Sequence, residues 1–244
     1  MPALASRSPV LPADIHGGLW QAHALAQAPA QVLSTGDAML DAQLPGGGWP
    51  VGGLTEVLQP EGLHAEWRLL LPALARSGSG PVVLAGAPYV PFAPALAAQG
   101  LAAHRLLWVC PHSAAERLWA TEQALRCAPV DAVVAWLPPG RAGAVRSEQL
   151  RRLQMAAAEH HKLLFVVRPE RSRHEASPAV LRLLLALPAG LAPDQPGDTL
   201  QVELLKRRGP PCTQALALPV RPLRLRLLLA ASSGHALDRT AERA

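Results

Sequence analysis

Short apolar runs alternate along the middle of the chain with longer stretches whose apolar positions recur every three or four residues. The short runs predict strands at 54–58, 81–85, 106–110, 132–136, 163–167 and 200–205, and the helical spacing falls at 66–75, 90–98, 114–127 and 146–161. Ser113 stands as a helix N-cap, and Glu116 three residues on completes a capping box. A strand followed by a helix, repeated, predicts an α/β fold with a mainly parallel central sheet flanked by helices.

Outside this core lie two segments of different character. Residues 1–33 read as an N-terminal extension with a short helix at 20–28, and residues 210–244 as a tail rich in Pro, then in Leu and Arg. Within the tail, Arg and Leu alternate over 221–226, as in an edge strand with one wet face. Such a row would either pack on its own core or invite a partner.

A chain of 244 residues with 50% hydrophobic and 17% charged residues is long enough to bury a large core. Its three cysteines, Cys110, Cys127 and Cys212, lack metal-site spacing, so no disulfide framework, metal or cofactor is expected, and they read as buried or idle thiols. The longest uncharged stretch, 81–103, contains Pro81, Pro88, Pro91 and Pro94, which would break a membrane-spanning helix. The N-terminus lacks a basic region followed by an apolar one, so no secretory signal is expected. A soluble, cytoplasmic protein is the expectation.

The most informative stretch is 34–62, STGDAMLDAQLPGGGWPVGGLTEVLQPEG. It has the lead-in of a phosphate-binding loop, whose functional form G-x-x-x-x-G-K-[ST] uses backbone N–H groups, a Lys and a Mg²⁺-binding hydroxyl. Here the strand runs into Gln59, Pro60, Glu61, Gly62, Leu63 and His64, and Ala65-Glu66-Trp67 stands where Gly-Lys-Thr would be. Losing two charge-assisted contacts of roughly 1.5–3 kcal/mol each lowers nucleotide affinity by about two to four orders of magnitude. The carboxylate of Glu66 would also meet a polyphosphate with like charge.

The spacing of Thr35-Gly36, Leu40-Asp41, Leu44, Gly46-Gly47-Gly48, Pro50, Gly52 or Gly53, Glu56 and Pro60-Glu61 resembles the segment that precedes the P-loop helix in RecA-type recombinases. With GGGWP, the degenerate loop, RLLLPALA and a late VELLKRRG, the chain resembles the ImuA family over about residues 14–220. That family comprises RecA-like, SulA-related accessory proteins of SOS-induced translesion DNA synthesis. The resemblance implies a RecA-like P-loop NTPase-type core over 34–209 with a degenerate nucleotide site. It also implies partners: ImuB, a Y-family relative, and an error-prone DnaE-type polymerase.

Further stations of an ATPase core are missing. The strand that should end in a Mg²⁺-binding Asp ends in Ala135-Trp136, and Arg168 stands where RecA-like proteins place a γ-phosphate-sensing Gln. None of the His and Glu residues forms a hydrolase or metalloprotease motif, so no enzyme is expected.

A formal charge of +5 and a pI near 9.8 suit contact with DNA or an acidic protein surface. Arg168, Arg171 and Arg173 cluster after the fifth predicted strand, and Lys206, Arg207 and Arg208 close the sixth. By resemblance the first cluster lies on a DNA-facing loop, which makes Arg171 to His174 candidates for phosphate contact; a solvated turn is the alternative. The second cluster is a candidate for DNA or partner contact. Without a groove-reading motif, any DNA binding would be non-specific, and association with RecA or with a second copy stays open. The resulting expectation is a non-catalytic adaptor of SOS mutagenesis, set against a SulA-like inhibitor of cell division and a divergent DNA-dependent ATPase that holds Mg²⁺ on Glu61 or Glu66.

Overall fold

The computed structural model describes residues 31–138, 145–188, 199–212 and 214–219, all in the unit from Gln31 onward. The strands are β1 (Val32–Leu33), β2 (Trp49–Pro50), β3 (Leu54–Gln59), β4 (Val82–Ala85), β5 (Leu106–Val109), β6 (Ala132–Trp136), β7 (Leu163–Pro169), β8 (Leu181–Ala186), β9 (Thr199–Lys206) and β10 (Leu216–Pro219). The helices are α1 (Ala38–Gln43), α2 (Glu66–Arg76), α3 (Ala93–Ala98), α4 (Ala114–Arg126) and α5 (Ser147–Glu159). One eight-stranded sheet has the order β10-β9-β8-β3-β7-β6-β4-β5. Its strands from β8 to β5 are mutually parallel, and β9 and β10 are added antiparallel.

Both faces of the central strands are covered, and the period of two along each of them sorts its residues between two cores. Val82, Leu84, Val134 and Phe165 pack with Leu40 of α1, Leu70 and Leu74 of α2 and Leu96 of α3. Val83, Val133, Leu164 and Val166 pack with Leu125 of α4 and with Leu150 and Leu153 of α5. These strands are apolar at nearly every position because neither face meets water.

The lead-in motif is a structural device. Asp37 caps α1 by accepting from the N–H groups of Met39 (2.8 Å) and Leu40 (3.1 Å). Asp41 turns back to accept from Ser34 Oγ (2.6 Å) and the Thr35 N–H (2.8 Å). Gly36 has φ +91°, and a Cβ there would lie 2.7 Å from Pro72 Cβ on α2, so a side chain at this position would push α2 away. The Gly46-Gly47-Gly48 turn delivers Trp49, which pairs across β1–β2 with Leu33 and stands edge-on to Phe165 at 5.3 Å.

Some elements differ from the sequence expectation. The helix expected from 90 begins at Ala93, with Pro94 in its first turn, where the missing N–H of proline costs no bond. The short α1 was not anticipated, although Asp37 is its visible cap. Strand β8 was missed because Arg182 interrupts an apolar run whose paired neighbours are distant in sequence. The sheet also extends beyond the expected core boundary at 209, since β10 pairs with β9. Ser113 does cap α4, accepting from the Glu116 N–H at 3.1 Å, while the Glu116 carboxylate reaches the His112 N–H at 2.9 Å. Cys110 and Cys127 are exposed rather than buried. The helix expected at 20–28 and the edge strand expected at 221–226 lie outside the described residues.

For Asp41, slight burial pushes the carboxyl up, and the hydrogen bonds from Ser34 and Thr35 with the charge of Arg76 outweigh it, holding the group below its ordinary value of 3.8. A depressed carboxyl stabilises the fold while ionised and loses that contribution as pH falls through its folded value. The stability gap between wild type and Asp41→Asn is therefore expected to be constant near neutrality and to close in acid, read by urea unfolding across a pH series.

Candidate functional site

In a sheet of this topology ligands bind in the crevice outside the carboxyl ends of the parallel strands. A cleft of about 220 Å³ lies there, lined by residues that follow β3, β4, β6 and β7. It is the place the degenerate P-loop was expected to occupy. Four of its walls are prolines, one at or just after the end of each strand: Pro60, Pro88, Pro138 and Pro169. Proline has no N–H, so these positions offer no backbone donor to a phosphate. Several remaining donors are used internally: the Leu63 N–H bonds Pro60 O, Gly86 bonds Val109 O and Leu137 bonds Val167 O.

The start of α2 is the second departure. A helix N-terminus attracts anions through its unpaired N–H groups and its dipole. Here Gln59 Oε1 accepts from the Ala65 N–H at 3.2 Å, and Gln59 Nε2 donates to Glu66 Oε2 at 2.8 Å. Glu66 is 1% exposed, and its other oxygen accepts from Trp136 Nε1 at 2.9 Å. The helix thus carries its own buried anion. Glu66 does not face the cleft with a free carboxylate, as the sequence suggested, and both of its oxygens are engaged, which leaves it poorly placed as a Mg²⁺ ligand. The residue in the P-loop position and the tryptophan in the Walker B position are one interaction, closed further by Trp67 packing on Trp136 at 5.9 Å between ring centroids. Ala135 is buried in β6 and does not line the cleft.

The basic residues singled out by sequence separate into different roles. Arg168 is not a surface contact: it is 2% exposed and bridges Glu56 Oε1 at 3.0 Å and Glu175 Oε2 at 2.5 Å. The other oxygen of Glu56 accepts from Arg182 Nε at 2.6 Å, and the sequence reading missed Arg182 entirely. Arg182 also donates to the carbonyls of Ser172, Arg173 and Glu175, so the 3₁₀ turn at Glu170–His174 is an ordered ridge rather than a loose loop.

On that ridge Arg171 pairs with Glu61 at 2.9 Å and Arg173 with Glu203 at 3.5 Å. With Pro60, Glu61, Glu170 and His174 they line a groove of about 490 Å³. Lys206, Arg207 and Arg208 do not join them. Because β9 is antiparallel to β8, with Lys206 opposite Arg182 near the start of β8, this cluster leaves the sheet at the end away from the cleft. There Lys206 donates to Ser177 O at 3.0 Å, Arg207 donates to the carbonyls of Pro210 and Gln43, and Arg208 is exposed. Among the described residues no group of His, Cys, Asp and Glu could hold a metal, and no helix is long and apolar enough to cross a membrane.

Truncating Arg168 leaves Glu56 with a single cation in the sheet interior, so Arg168→Ala is expected to cost about 3–5 kcal/mol, against about 0–1 kcal/mol for the exposed pair lost in Arg171→Ala. Glu66→Ala orphans the buried N–H groups of Trp136 and Gln59, with an expected loss of about 2–5 kcal/mol. Urea unfolding followed by tryptophan fluorescence measures all three.

No protein-family model matches the chain, and no curated protein matches it. Among solved structures, the RadB recombinase, a RecA-family protein, is similar to it with a TM-score of 0.57 and 19% sequence identity, over 78% of this chain and 96% of that one. The chain has a RecA-like fold, with a mainly parallel central sheet flanked by helices.

Proposed function

We propose that the protein is a non-catalytic adaptor of damage-induced translesion DNA synthesis, acting with ImuB and an error-prone DnaE-type polymerase. The observation that carries the catalytically silent part of this reading is the Gln59–Glu66–Trp136 network at the start of α2. It supplies an internal carboxylate at the helix end that would otherwise attract a phosphate, and it links the two sequence positions at which an ATPase keeps its Lys and its Mg²⁺-binding Asp. The proline-rimmed cleft argues the same way. The partners come from the resemblance of the 34–62 motif and the VELLKRRG segment to the ImuA family.

A divergent ATPase would need Glu61 or Glu66 free for a metal. Glu66 has both oxygens engaged, and Glu61 is paired with Arg171.

Affinity capture of the tagged protein from DNA-damaged cells is expected to recover a Y-family relative together with an error-prone polymerase. Recovery of the division-ring protein alone would move the assignment to a SulA-like inhibitor. With the purified protein, Mg²⁺-ATP is expected to give neither saturable binding at micromolar concentration nor DNA-stimulated phosphate release; turnover abolished by Glu61→Gln would establish the ATPase instead.

A further inference from the structure

The cleft has lost its phosphate donors without being filled. Its volume of about 220 Å³ lies below the roughly 300–1,000 Å³ of pockets that enclose small molecules. It suits a single large side chain, as in the pockets that receive the central anchors of protein interfaces. Much of the lining is apolar, including Leu63, Trp136, Leu137, Val167 and the four prolines.

Arg117 gives the cleft a charge preference. Arg117, on α4, donates through Nη1 to Trp136 O at 3.0 Å, and its Nε lies where a side chain on Gly86 would stand, 2.8 Å from the Cβ position. Its remaining N–H groups have no acceptor among the described residues. Arg168 also lines the cleft, but its guanidinium is already paired with Glu56 and Glu175, and the lining carboxylate of Glu61 is paired with Arg171. The unpaired guanidinium donors of Arg117 beside an apolar cleft favour an occupant that brings a carboxylate.

The mouth continues into exposed apolar surface. His64 lines the cleft and stands edge-on to Tyr89 at 4.8 Å. Tyr89, Val90 and Phe92, in the connection from β4 to α3, are 67%, 71% and 70% exposed. Three large apolar side chains this exposed within four residues are characteristic of an interaction site.

From these observations we infer that the former nucleotide cleft is a docking pocket for an acidic peptide segment of a partner protein, which inserts an aromatic or large aliphatic side chain between the strand-end prolines, presents an adjacent carboxylate to Arg117 and lies against Tyr89, Val90 and Phe92. The chain's formal charge of +5 favours an acidic partner in the same sense. This inference deepens the adaptor reading, on which it rests for the identity of the partner.

The test uses N-acetyl-tryptophan, an indole with a carboxylate, titrated into the ¹⁵N-labelled full chain. Shifts are expected at the amides of Gly62, His64 and Gly86, with affinity about tenfold tighter than for the neutral N-acetyl-tryptophan amide. Arg117→Gln, which keeps a donor for Trp136 O, is expected to abolish that preference, and the surface change Tyr89→Ala to weaken both ligands. Absence of these shifts, equal binding of N-acetyl-glutamate, or an unchanged preference in Arg117→Gln would overturn the pocket. In affinity capture, Arg117→Gln and Tyr89→Ala are expected to lower recovery of the polymerase-family partner severalfold. Undiminished recovery would overturn the docking inference and leave the adaptor reading standing. Fragment binding by a wild type that captures no such partner would sink the adaptor reading and leave the pocket.

Discussion

The carboxylate of Glu56 sits fully buried in the middle of β3, and the arrangement around it organises this half of the molecule. An ionised carboxylate in an apolar interior is strongly unfavourable unless it is paired and hydrogen-bonded. Its two oxygens are met by Arg168 of β7 on one side and Arg182 of β8 on the other, the two strands bonded to β3. Arg182 then directs its remaining donors to the carbonyls of the turn after β7. One buried acid therefore helps to select the neighbours of the first long strand and to shape the ridge that carries Arg171 and Arg173. Without that acid, two like charges would face each other inside the sheet.

On the opposite face of the sheet Glu66 follows the same rule with a different result. It has no guanidinium partner and is held by two neutral donors, from Gln59 and Trp136, beside the positive end of α2. A carboxylate in that place is satisfied by the features that let related loops bind phosphate. The two departures from the ATPase pattern, Glu66 and Trp136, stand 70 residues apart in the chain and are compensatory because they meet in space. The strand-end prolines act in parallel by removing donors from the rim of the crevice.

Much of the fold was legible in the sequence, and the reason is local. A strand buried on both faces is apolar at most positions, so the predicted strands at 81–85, 132–136 and 163–167 fall on β4, β6 and β7, and 54–58 falls on β3 even though Thr55 and Glu56 interrupt its apolar run. Thr35, Gly36, Asp37 and Asp41 form a turn whose bonds nearly all close within a few residues, and such motifs keep their spacing. Chemistry was less legible. Arg168 looked like a surface cation because an arginine near a strand end usually is one, and Glu56, 112 residues away in the chain, gave no sign of being its partner.

What the sequence determined by itself was the alternation of strands and helices, the RecA-type lead-in and the loss of the phosphate-binding residues, because each depends on residue types within a few positions of one another. Tertiary structure alone decided where the charges went. Pairing β3 between β7 and β8 buried Arg168 and Arg182, drawing one candidate contact into the interior, while the antiparallel return of β9 carried Lys206, Arg207 and Arg208 to the far end of the sheet. It also turned Glu66 inward onto Trp136. The physical reason is that burial and ion pairing depend on distances between segments remote in sequence, and the cost of an unpaired charge is set only when the sheet closes around it.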